Sequence, residues 1–193
     1  MYKYYLAYKP FDVLCQFTKE KDDDRTLQEL KIVDKDVYSV GRLDKDSEGM
    51  LLLTNDNKLK NAITHAENKI YKSYYCQVEG LISTKAISQL QNPLTIKING
   101  SNYTTKPAKV RPLENVENLP DRNPPIRHRE SIPTSWIEIK ICEGKNRQVR
   151  KMLATVGFPV LRLIRVGIGN LKLQFPIDFK VKSIGKKELD LIF

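Results

Sequence analysis

Three acids, Asp44, Asp46 and Glu48, stand at alternate positions between Gly41-Arg42-Leu43 and Gly49, directly ahead of the apolar run Met50-Leu51-Leu52-Leu53. A carboxylate so placed can act as a nucleophile or a base, provided a cation biases its charge and rigid backbone holds it. The run that follows is bounded by Gly49 and Asn55-Asp56 and has the length and texture of a buried strand, so the loop enters the core. Three readings of the loop compete. It is a solvated turn, a calcium loop, or the seat of a catalytic carboxylate with Arg42 beside it. The calcium reading fails downstream: position 12 of such a loop is Asn55 where a bidentate Glu is needed, and a strand follows where a helix is needed.

A second concentration of charge lies at Glu143-Gly144-Lys145-Asn146-Arg147-Gln148-Val149-Arg150-Lys151-Met152-Leu153. Val149, Met152, Leu153 and Val156 recur at helical spacing as a buried stripe, with Asn146 as the expected N-cap and Gly157 just past the end. Arg147, Arg150 and Lys151 occupy another face near the N-terminus. Cations there oppose the helix dipole, so they call for a partner, either a phosphate or a buried acid.

The elements that must position these groups follow from periodicity. Residues 2–8 predict a strand stopped by Lys9-Pro10, and Asp22-Asp23-Asp24 a solvated turn. Thr26 opens a short helix, Val37–Val40 a strand, and Asp56 caps a helix over 57–66 with Leu59, Ala62, Ile63 and Ala66 on one face. Residues 71–79 alternate as a strand ending at Gly80, and Ser83 starts a helix that Asn92-Pro93 ends. Strands follow near 94–98 and 106–111. Thr134–Ile141 is the cleanest strand, with Ile137, Ile139 and Ile141 on one face. Residues 161–166 give another, and the tail 171–193 further strands. Strands with intermittent helices and no regular βαβ alternation indicate an α+β fold on a mainly antiparallel central sheet with flanking helices.

Composition narrows the function. The 193 residues carry 33 Lys and Arg against 23 Asp and Glu, a net charge of +10 that favours a polyanionic partner, most often nucleic acid. Residues 112–133 hold five prolines and a positive rim of Arg122, Arg127, His128 and Arg129, expected to contact RNA, with His128 a surface residue. Cys15, Cys76 and Cys142 are far apart, which excludes a disulfide framework and a sequence-evident zinc site and suits a reducing compartment. No signal-peptide core, membrane-length apolar stretch or phosphate-binding glycine motif is present, so a soluble cytoplasmic protein with no membrane association is expected.

Taken together, the blocks Gly41-Arg42-Leu43-Asp44 with Gly49–Asp56, Lys72-Ser73-Tyr74, and Glu143–Leu153 resemble the bacterial ribosomal RNA pseudouridine synthases of the small-subunit synthase A type. Lys9–Leu14, Arg122–Arg127 and Ser131–Trp136 are similar to the large-subunit synthase E subgroup. One departure is Asn57, where the family usually has Gly. The resemblance implies a single catalytic unit over 1–193, with two lobes sharing one sheet and no N-terminal S4-type domain. It implies a monomer acting on a uridine of large-subunit rRNA, with no cofactor and no metal. It also implies roles for residues: Asp44 as the acting carboxylate, Arg150 as its ion-pair partner, and Tyr74 stacked on the uracil. Arg42 would fill the space left by the extruded base or hold a neighbouring phosphate. Lys72, Lys145, Asn146, Arg147 and Lys151 join Arg42, Arg122, Arg127 and Arg129 as RNA contacts, and Asp46 and Glu48 remain solvated. The alternative is a non-catalytic RNA-binding or ribosome-assembly factor with the same basic face.

Overall fold

Every residue of the strand that follows the acidic loop is buried, which explains why its sequence is an unbroken apolar run. A computed structural model describes residues 1–32, 34–126 and 131–193, with the backbone alone at Ala66. In chain order the strands and helices are β1 (Tyr4–Lys9), β2 (Tyr38–Ser39), β3 (Glu48–Thr54), α1 (Asn57–Thr64), β4 (Lys72–Glu79), α2 (Thr84–Leu90), β5 (Thr95–Ile98), β6 (Ser101–Thr104), β7 (Lys109–Leu113), β8 (Thr134–Ile141), α3 (Gln148–Thr155), β9 (Val160–Ile168), β10 (Leu171–Lys172), β11 (Val181–Ser183) and α4 (Lys186–Asp190). Short 3-10 turns at Leu27–Leu30 and Ala66–Asn68 complete the set.

Nine strands form one sheet in the order β11-β1-β3-β9-β4-β8-β7, with β2 on β3 and β10 on β9, while β5 and β6 make a separate hairpin. Among the described residues the pairings between strands are antiparallel except one. At its start β3 runs parallel to β9, pairing Glu48 with Ile164 and Gly49 with Arg165. The α+β expectation stands, and this central crossing brings two distant parts of the chain to the acidic loop.

Alternation along β3 sends Met50 and Leu52 into one cluster with Val166, Ile168, Ile184 and Ile192. Leu51 and Leu53 enter another with Val13, Leu27, Leu30 and Val37. A third cluster joins Ile137, Ile139 and Ile141 of β8 to Val149, Met152 and Leu153 of α3 and Leu90 of α2. Each fully buried Leu or Ile contributes about 1.5–3 kcal/mol by leaving water, so α3 is held chiefly by its apolar stripe. The three cysteines are buried and free, as small core residues.

Asp56 caps α1 as expected, its Oδ1 accepting from the Lys58 and Leu59 amides at 2.9 and 3.1 Å, but the helix stops at Thr64. The tail holds a helix, α4, that the strand expectation missed, and β6 was also missed. Pro112 is accommodated in β7 because that strand forms the sheet edge. Asp24 is buried rather than solvated, accepting from the Glu20 and Lys21 amides. Among the described residues no helix is long and apolar enough to cross a membrane, and no cluster of His, Cys, Asp and Glu could hold a metal ion.

At the parallel crossing Gly49 has φ +106°, and a Cβ there would lie 2.3 Å from the Arg165 carbonyl oxygen. Both the dihedral and the close backbone approach require glycine. Gly49→Ala is expected to cost at least about 2 kcal/mol, combining left-handed strain with the clash. The check is the urea midpoint at unchanged slope; a shift equivalent to less than half that value would mean the strands separate easily.

Candidate active site

The acidic loop begins at Gly41, just past β2, and enters β3 at Glu48, and each of its acids has a different fate. Its turn is closed by the Ser47 amide donating to the Asp44 carbonyl at 3.0 Å. From below it is held by Lys9, which has no exposed surface. The Lys9 ammonium donates to the carbonyls of Val13 at 2.6 Å, Pro10 at 2.9 Å and Lys45 at 3.3 Å. The Lys45 carbonyl also accepts from the Asp12 amide at 2.9 Å. Burial pushes the Lys9 amine down to about 8, with nearby acids pulling the other way. Sequence reasoning missed Lys9, whose only signal was its place at the end of β1 before Pro10.

Glu48 is buried, which corrects the expectation of a solvated acid. Arg162 of β9 grips it with Nε at 2.9 Å from Oε1 and Nη2 at 2.8 Å from Oε2, and the Tyr8 hydroxyl donates to Oε2 at 3.2 Å. Arg162 Nη2 also donates to the Pro120 carbonyl at 2.6 Å, fastening the proline-rich segment to the same pair.

Asp46 is the partner of the α3 cations. Arg147 donates to it through both terminal nitrogens, each at 2.8 Å. The Arg150 Nε lies 3.4 Å from its carboxylate and the Arg150 Nη2 donates to its carbonyl at 2.6 Å. Arg150 Nη1 reaches the Val160 carbonyl at 3.2 Å. The expected pair between Arg150 and Asp44 is therefore replaced by one with Asp46, which is partly exposed but paired with arginines rather than free in solvent. The change begins at the helix cap. Arg147, not Asn146, occupies the N-cap, in the left-handed region at φ 52°, and α3 starts one residue later than expected. The Gln148 side chain stabilises this turn, accepting from the Lys145 amide at 3.0 Å and donating to Glu143. Burial works to raise the Asp46 carboxyl, but the bonds from Arg147 and the charges of Arg150 and Arg147 outweigh it and hold it below the usual aspartate range.

Asp44 faces a cavity of about 630 Å³ whose lining includes Arg42, Tyr74, Lys145, Asn146 and Arg147, over an apolar floor of Ile141, Val149 and Leu163. Its nearest paired cation is Arg147, at 3.7 Å. Tyr74 reaches the cavity from β4, where a bulge between Ser73 and Tyr74 shifts the register so that Tyr74 lies opposite Arg165. Burial raises the Tyr74 phenol, and the Arg165 guanidinium pulls it back. Arg165 is itself buried, with Nε donating to the Met50 carbonyl at 2.8 Å and Nη2 without a hydrogen-bond partner. Lys72 lines an adjoining cavity of about 370 Å³ that shares Arg42, Tyr74 and Lys145 with the first. Its ammonium donates to the Ile63 carbonyl at 2.9 Å, and burial lowers it.

Asp44, Tyr74, Arg42, Lys145, Asn146 and Arg147 thus converge on one cavity, with Lys72 next to it. Arg150 lies behind it, and the Lys151 ammonium bonds the Asn146 side chain at 3.4 Å. Arg122 is drawn inward. Its guanidinium stacks 3.8 Å above the Phe11 ring and donates to the Leu161 carbonyl at 3.4 Å. Arg127, His128 and Arg129 lie outside the described residues. A carboxylate facing an aromatic hydroxyl across an apolar floor, under a cationic rim, suits a flat polar ring carried on a phosphodiester chain.

Residues 3–155 match the family model described as RNA pseudouridylate synthase. The chain is 43% identical over 170 residues to a Xanthomonas axonopodis pv. citri protein named ribosomal large subunit pseudouridine synthase E, covering 88% of this chain and 87% of that one. A Vibrio parahaemolyticus protein of the same name is 44% identical over 165 residues, covering 86% of this chain and 66% of that one. Among solved structures, one described as a crystal structure of pseudouridylate synthase matches with a TM-score of 0.79 over 100% of this chain and 74% of that one. At 23% identity that likeness is one of fold.

Two outcomes follow from the acids. Glu48→Gln leaves Arg162 buried without its counter-charge and should cost about 3–5 kcal/mol, measured by denaturant unfolding. Asp46 is held low when folded, so its contribution is full above the ordinary aspartate pKa of about 4 and is lost as pH falls through the lower folded value. Asp46→Asn should therefore flatten the acid limb of stability below about pH 4. An unchanged limb would mean that Arg147 and Arg150 do not hold this carboxylate in solution.

Proposed function

The chain belongs to the RNA pseudouridylate synthase family, and on that premise we propose that it isomerises a uridine of large-subunit ribosomal RNA with Asp44 as the acting carboxylate. The names of its relatives support the substrate class, and the shared cavity of Asp44 and Tyr74 supports the site. Pseudouridine formation breaks the N1–C1′ bond, turns the uracil and rejoins it through C5. Atoms balance within the nucleoside, and no electrons are exchanged. The protein must extrude the base, engage the sugar or the ring with one group, and move the C5 proton.

The observation that carries the assignment is that Asp44 alone among the loop acids opens into the cavity. Asp46 and Glu48 are consumed by arginines. Asp44 engages the ribose or the C6 edge of the extruded uracil, with Arg147 as the cation beside it. Tyr74 lies along the base and serves its C5 proton. The floor of Ile141, Val149 and Leu163 receives the ring and excludes water. Arg150 acts through the loop rather than on the substrate, fixing the Asp46 carbonyl two residues from the reacting carboxylate. It is a positioning residue. Arg42, exposed at the rim, and Lys145 and Lys72 meet the phosphates, whose neutralisation makes RNA affinity fall with salt.

Asp44→Asn should abolish pseudouridine formation in large-subunit rRNA while RNA affinity stays within about twofold, because phosphate contacts are untouched. Mapping of pseudouridines after incubation with each protein decides it. Equal product from wild type and variant would exclude Asp44 from the chemistry. Absence of product from the wild type, with RNA binding retained, would favour an assembly factor instead.

A further inference from the structure

Arg42 borders more than the two cavities of the candidate site. On its other side, and on that of Gly41, lies a third concavity of about 560 Å³ whose lining includes Cys15, Phe17, Tyr38 and Lys60. None of its lining residues is acidic. Tyr38 is 61% exposed and packs into none of the three core clusters. Phe17 is partly buried against the cluster beneath β3, so its ring is fixed. Among the described residues neither the Arg42 guanidinium nor the Lys60 ammonium forms a hydrogen bond or ion pair. A single exposed tyrosine needs no explanation. Here, however, an aromatic floor, two unpaired cations and no carboxylate occur together, and they share a wall with the cavity that holds Asp44.

A ligand matching that lining has a flat apolar face and a negative group at its edge, which describes a nucleotide. Single-stranded RNA is held in this way, by bases splayed out and stacked on aromatic side chains while cations track the backbone. We propose that this third cavity takes a second nucleotide of the same RNA strand, a near neighbour of the one that enters the Asp44 cavity. Its base stacks on Tyr38 and Phe17, and its phosphate lies between Arg42 and Lys60. Arg42 stands at the wall common to the two nucleotides and holds the backbone between them. The inference rests on the reading that the substrate is RNA. It adds a stacking subsite that selects for an unpaired flanking nucleotide.

The test uses stem-loop RNAs centred on the modified uridine, intact or with one abasic site at each of the three positions on either side. Affinities are measured by fluorescence anisotropy for wild type, Tyr38→Ala, Tyr38→Leu and Tyr38→Phe. Loss of the ring in Tyr38→Ala or Tyr38→Leu should weaken intact RNA by about five- to a hundredfold, and Tyr38→Phe should bind as wild type. One abasic position should weaken the wild type by a similar factor and add little to either ring-less variant. Lys60→Gln should reduce the salt slope by about one. Tyr38→Leu keeps apolar bulk at an exposed position, so thermal unfolding close to wild type is expected. Undiminished binding by Tyr38→Leu, or additive losses at every abasic position, would overturn the subsite. Product formation by the wild type is followed on the same RNAs. Product with additive losses sinks the subsite alone, whereas coupled binding without product sinks the catalytic reading and leaves the subsite standing.

Discussion

The contact on which the site depends is the grip on the Asp46 unit of two arginines, one capping α3 and one in its first turn, across 101 and 104 residues of chain. The stretch Gly41–Ser47 between β2 and β3 carries one apolar side chain, Leu43, so its conformation must be imposed from outside. The apolar stripe of α3 anchors that helix against β8, and the helix then carries Arg147 and Arg150 to the loop. Placing cations at a helix N-terminus is unfavourable to the dipole by a few tenths of a kcal/mol to about 1 kcal/mol. A bidentate pair with Asp46 and a bond to its carbonyl offset that cost, so the arrangement holds without RNA.

Two further anchors fix the loop from other directions, and they differ in kind. Lys9 is a buried ammonium satisfied by three carbonyls rather than by an acid, so it orders backbone. Burial of such a group is tolerated because the bonds it lost to water are replaced, and its lowered proton affinity reflects the desolvation of the charge. Glu48 and Arg162 instead form a buried ion pair that extends through Pro120 into the proline-rich segment. The loop is thereby coupled to the core under β1, to β9 and to α3 at once.

The parts legible in the sequence were those decided by near neighbours. The Asp56 cap, the isoleucine stripe of β8 and the buried run of β3 each depend on side chains within one or two turns or on simple alternation. What escaped notice depends on distant chain. Arg147 occupies a left-handed cap that its type does not favour and from which it reaches Asp46, and no local rule displaces Asn146 from that position. The parallel crossing of β3 and β9 is the meeting of segments more than a hundred residues apart. The bulge that aligns Tyr74 with Arg165 is a register shift, invisible in an alternating pattern. Family likeness implied Asp44, Tyr74 and Arg150 as a set, but Arg150 pairs with Asp46, outside that set.

That pairing has a chemical consequence. A carboxylate held by two short guanidinium bonds must break them before its oxygens can meet a sugar or a ring, and each charge-assisted bond is worth about 1.5–3 kcal/mol. Asp46 takes those bonds, as Glu48 takes the bonds of Arg162. Asp44, two residues ahead of the nearer tether, has among the described residues a single ion-pair contact, with Arg147 at 3.7 Å. Its backbone is restrained while its oxygens stay available to whatever enters the cavity. Three acids at alternate positions therefore do not share one role: two are tethers, and their tethering holds the third in place with its carboxylate facing the cavity.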